Sequence, residues 1–91
     1  MTIPGKLQSY LASGKPIIAS LDGIGAEIIK ESSSGYVTPS EDHHGLAKSI
    51  INFDKLSLEQ RSKLGANARK YFEKEFERDK LLLKLIDIFN Q

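Results

Sequence analysis

The sequence predicts an α/β fold of short parallel strands with flanking helices and a long helical C-terminus. Three observations carry this: two short apolar runs rich in β-branched residues, a helical segment lying between them, and helical periodicity over the last third of the chain. A strand, a helix and a second strand make a βαβ unit, and such units pair their strands in parallel.

Pro4 suits a first helical turn, and Leu7, Tyr10 and Leu11 then share one face, so residues 4–13 read as helix. Gly14 stops it, and Lys15-Pro16 forces an extended entry into the strand Ile17-Ile18-Ala19-Ser20. Asp22-Gly23-Ile24-Gly25 is a glycine-rich turn with Asp22 as the expected N-cap of a helix over 26–31, its Ile28 and Ile29 turned inward. Ser32-Ser33-Ser34-Gly35 breaks that helix, and Tyr36-Val37-Thr38 is a second strand ended by Pro39.

Glu41-Asp42 provides an acidic first turn for a helix over 41–52, with Leu46, Ala47, Ile50 and Ile51 as its apolar stripe. Ser57-Leu58-Glu59-Gln60 has the spacing of a capping box and starts a longer helical stretch. Glu77-Arg78-Asp79 interrupts its apolar pattern before Leu81, so two helices or one bent helix are expected. Two strands make a narrow sheet with exposed edges, and such an edge invites another chain, so a homodimer is expected.

The chain has 91 residues, enough for one domain with a small core, read as a single partial domain over 1–91. Thirteen basic and twelve acidic side chains nearly cancel, which argues against nucleic acid as a partner. With no cysteine, disulfides, a thiol nucleophile and a thiolate zinc site are excluded. No apolar run approaches the roughly 20 residues of a membrane span, and the N-terminus lacks a signal-peptide pattern. These features predict a soluble, cytoplasmic chain without a transmembrane segment.

The most specific motif is the run from Pro4-Gly5-Lys6-Leu7 through Tyr10-Leu11-Ala12-Ser13-Gly14-Lys15-Pro16-Ile17. A helix N-terminus has unpaired N–H groups and a partial positive charge, so it suits a diphosphate; Gly5 permits close approach and Lys6 adds a full charge. The plainer reading is a turn with an exposed lysine. Glu41-Asp42-His43-His44 collects metal-ligand types, but consecutive residues point apart and read as a solvated helix start. Gly23-Ile24-Gly25 lacks the third glycine of a dinucleotide loop, since Ile28 stands there. The alternating charges from Glu59 to Arg78 read as a solvent-facing helix.

Taken in order, the Pro4–Ile17 motif, Asp22-Gly23-Ile24-Gly25-Ala26-Glu27-Ile28, Gly35-Tyr36-Val37-Thr38-Pro39, Leu46-Ala47-Lys48-Ser49-Ile50 and Gly65-Ala66-Asn67-Ala68-Arg69 resemble the donor-binding domain of retaining glycosyltransferases. The family is the group 1 (family 4) one, with two facing Rossmann-like domains of the GT-B type. The resemblance implies a partial Rossmann-like three-layer fragment, the C-terminal half of the nucleotide-sugar-binding domain. It implies donor contacts at Gly5, Lys6, Leu7 and Ser9, with no catalytic residue and no metal or other cofactor in this stretch.

The family's two donor-flanking glutamates would fall at Met1 and Ser9; neither is acidic, and a serine hydroxyl bonds a ribose less strongly than a carboxylate. The partners implied are a nucleotide-diphosphate sugar and a missing N-terminal acceptor domain, in polysaccharide biosynthesis at the inner face of the membrane. The chain alone is then expected to be inactive. The alternative is a stand-alone small α/β interaction module whose C-terminal helices dock on a partner.

Overall fold

The computed structural model describes residues 3–91, with elements in the order α1 (Gly5–Ser13), β1 (Ile17–Ser20), α2 (Ile24–Ser32), β2 (Gly35–Thr38), α3 (His43–Asp54) and α4 (Leu58–Phe89). The architecture is α/β: two short parallel strands, flanking helices and a long C-terminal helix. Ile17 lies opposite Gly35 and Ser20 opposite Thr38. The ladder is closed at its two ends by Ile17 N–H donating to the Ser34 carbonyl (3.0 Å) and Leu21 N–H donating to the Thr38 carbonyl (2.9 Å).

Helix α1 stops at Gly14, whose φ of 68° is the left-handed conformation that glycine adopts without strain. Leu7 and Leu11 are buried with Ile3, Ile17, Ile28, Ile29 and Ala68 in one small core. Tyr10, expected on the same face, is 56% exposed; the main packing partner of α1 is α4, not the sheet. Helix α2 starts two residues earlier than the pattern suggested, and Gly23, not Asp22, is its N-cap. Asp22 is drawn away by a long-range partner: its Oδ1 accepts from Ser40 N–H at 3.0 Å.

Helix α3 is likewise shifted. Glu41 stands in the preceding turn with φ 66°, and Asp42 is the cap, accepting from Gly45 N–H at 2.9 Å. The acidic first turn is therefore a cap and a turn residue. Of the stripe expected to face inward, Ala47, Ile50 and Ile51 are exposed and Leu46 is half-buried, since two strands cannot cover a whole helix face.

Helix α4 opens on the expected capping box: Ser57 Oγ accepts from Gln60 N–H (3.1 Å), and Gln60 Oε1 from Ser57 N–H (2.9 Å). It then runs unbroken for 32 residues, not as two helices. Glu77-Arg78-Asp79 changes the polarity of the pattern but contains neither glycine nor proline, so nothing in it breaks a helix. At 1.5 Å per residue α4 is about 48 Å long, close to the molecule's longest dimension of 54 Å. Its first half packs on α1 and α2, whereas every residue from Phe76 to Gln91 is exposed.

Candidate functional site

The first turn of α1 is open. Pro4 is its N-cap and offers no side-chain cap, and the first intrahelical bond is Gln8 N–H to the Pro4 carbonyl at 2.9 Å. The N–H groups of Gly5, Lys6 and Leu7 therefore have no acceptor within the helix. Around Gly5 there is space, with no atom within 4 Å of where a Cβ would stand, and Lys6 is exposed. Leu7 is buried. Ser9 lies one turn along, exposed, its hydroxyl donating to the Gly5 carbonyl at 3.4 Å. The structure thus groups the four residues expected to contact a donor on the first two turns of one helix. Met1 falls outside the described residues.

The same end of the sheet holds the start of α2, whose N-cap Gly23 (φ 76°) also lacks a side-chain cap. A Cβ on Gly25 would stand 3.8 Å from Leu7 Cδ2, so the two helix starts share a wall. They border a groove of about 600 Å³ whose lining includes Pro4, Lys6, Leu7, Leu21, Asp22 and Gly25. Two ties hold the loops beneath it: Asp22 with Ser40 N–H, and Ser20 Oγ donating to the Pro39 carbonyl at 2.8 Å. Among the described residues no three His, Asp or Glu side chains cluster to hold a metal, and His43 and His44 are exposed at the start of α3.

The supporting residues were less visible from the sequence. Arg69, read as part of a solvent-facing charge run, donates Nη1–H to the Ala12 carbonyl in the last turn of α1 and Nε–H to Glu73, both at 2.8 Å. Asn67 Nδ2 donates to the Ser33 carbonyl just past α2 at 3.0 Å. A Cβ on Gly65 would overlap the Gly14 carbonyl oxygen, so only glycine lets α4 come this close. The segment Gly65–Arg69 thereby fastens the carbonyl ends of α1 and α2, leaving their N–H ends open at the groove. The G-x-x-A-R spacing was the available signal, though it did not reveal what each residue touches.

Two open helix N-termini beside the carboxyl ends of parallel strands are the layout on which α/β proteins place anionic ligands. Residues 4–71 match the family model for glycosyl transferases group 1, a match that runs from α1 into α4. The chain belongs to that family. No curated protein and no solved structure matches it.

Proposed function

We propose that this chain is the C-terminal part of the nucleotide-sugar-binding domain of a retaining glycosyltransferase of the GT-B type. That enzyme moves a sugar from a nucleotide-diphosphate donor to a glycan or lipid-linked acceptor at the inner face of the membrane. The observation that carries the reading is the uncapped first turn of α1, with Gly5, Lys6 and Leu7 presenting free N–H groups beside an exposed ammonium.

In such a reaction negative charge gathers on the departing diphosphate as its bond to the sugar breaks. Fixed donors aimed at that charge favour the transition state because they need no reorganisation. Gly5, Lys6 and Leu7 supply backbone donors, the Lys6 ammonium supplies charge, and Ser9 takes a ribose hydroxyl once it releases the Gly5 carbonyl. No residue of this chain serves as nucleophile or general base. Acceptor binding and the remaining phosphate contacts belong to further polypeptide on this reading, and the chain by itself does not turn over.

Calorimetric titration with uridine and guanosine, their diphosphates and the corresponding sugar conjugates tests this reading. A diphosphate should bind where its nucleoside does not, and Lys6→Ala should weaken it roughly tenfold, the size of one charge-assisted contact. Equal binding of nucleoside and diphosphate, or an unchanged affinity in Lys6→Ala, removes the proposed role of this helix.

A further inference from the structure

We infer that Arg69 is a positioning residue for the open first turn of α1: it grips that helix at its far end and so keeps the free N–H groups aimed at the groove. The inference rests on the reading of this turn as a diphosphate site. The two ends of α1 are finished differently. At the start, the N–H groups of Gly5, Lys6 and Leu7 have no acceptor within the helix. At the other end the carbonyls are taken: Ser13 Oγ donates to Tyr10 at 2.6 Å, Gly14 N–H to Leu11 at 3.2 Å, and Arg69 Nη1–H to Ala12 at 2.8 Å. Only the last of these donors comes from another element.

The arm that supplies it is held by its own helix. Arg69 Nε–H donates to Glu73 Oε1 at 2.8 Å, and the guanidinium carbon stands 5.3 Å from the centre of the Phe72 ring. A planar guanidinium fixed on two sides in this way has little freedom left. Gly65 lies one turn earlier on the same face of α4 and sets how closely the two helices approach. Arg69 sets direction.

That direction has few other guardians. Helix α1 packs chiefly on α4, and its buried Leu7 and Leu11 hold one face by apolar contact, which has no preferred angle. At 1.5 Å per residue the first turn lies about 10 Å from Ala12, so a tilt of about 10° at that end moves it by about 2 Å. Hydrogen bonds tolerate a spread of only about 0.5 Å. The Arg69 side chain is itself half exposed, at 49%, so replacing it opens no hole in the core.

Titration of the isotope-labelled chain with inorganic pyrophosphate, followed through the amide resonances of Gly5, Lys6 and Leu7, tests the inference. Arg69→Gln should weaken pyrophosphate about fivefold, the worth of one misaligned hydrogen bond, and shrink the shifts of these amides at saturation. Arg69→Lys keeps a charged donor for the Ala12 carbonyl but loses the fork to Glu73, and its affinity should fall between. Ser57→Ala removes the cap of α4 and touches none of these groups, so it lowers stability and leaves the affinity unchanged. If Arg69→Gln binds pyrophosphate as the parent chain does, or if Ser57→Ala weakens it as much, Arg69 has no positioning role and the donor-site reading stands. If pyrophosphate shifts none of the three amides in the parent chain, the donor-site reading falls and this inference falls with it.

Discussion

At the residue scale, glycines that look alike in the sequence differ in consequence. Gly65 sits where a Cβ would overlap the Gly14 carbonyl oxygen and stand 3.0 Å from its carbon, both backbone atoms that cannot swing aside. Gly65→Ala gains about 1 kcal/mol of helix propensity, but forcing α4 away from α1 costs more. We expect a net loss of about 1–3 kcal/mol, read as a lower urea midpoint. Tyr71 makes a second test. Burial, then the carboxylates of Glu31 and Glu75, hold its phenol above the ordinary 10.0, with Arg78 pulling the other way. The folded state thus keeps the phenolic proton longer than the unfolded chain does. Stability from this source is whole below pH 10 and lost as pH rises through the folded pKa. Tyr71→Phe should flatten that alkaline limb in pH-dependent urea unfolding; an unchanged slope would clear Tyr71 of the effect.

At the element scale, local signals were accurate where local chemistry decided the outcome. The Ser57–Gln60 box forms as spaced, and Ser57→Ala should cost about 1 kcal/mol, seen as a lower thermal midpoint together with fraying confined to the first turn of α4. The stop at Gly14 and the inward pair Ile28 and Ile29 were legible for the same reason. Asp22 was not, because its competing partner Ser40 is eighteen residues away and no local pattern announces it. Hydrophobic period alone left α4 open between two helices and one bent helix, because it records where neighbours lie and not whether the backbone turns; the structure has one helix. Ile50 and Ile51 show the converse: a regular apolar stripe whose cover the described chain does not supply.

At the scale of the whole molecule, the α/β layout followed from the alternation of elements, and the candidate site followed in half. Gly5, Lys6 and Leu7 could be read as free donors because a proline-started helix leaves its first N–H groups unpaired whatever surrounds it. That the start of α2 would share the same groove depended on Leu7 meeting Gly25, a tertiary contact outside the reach of spacing. The division of α4 into a half that fastens the body and a half that leaves it also emerged only in three dimensions.

The link between α1 and β1 is only three residues, Gly14, Lys15 and Pro16. Adding or removing a residue within α1 turns one part of the helix against the other by about 100°, which would swing Leu7 or Leu11 out of the core and carry the free donors of the first turn with it. Substitutions in the first turn are therefore open to variation that tunes ligand choice. Changes of length within α1 beyond Leu7 are closed, since a helix cannot absorb an extra residue without turning one of its faces. The reading frame of this short stretch, more than the identity of its exposed side chains, is what keeps the open end of α1 aimed at the groove.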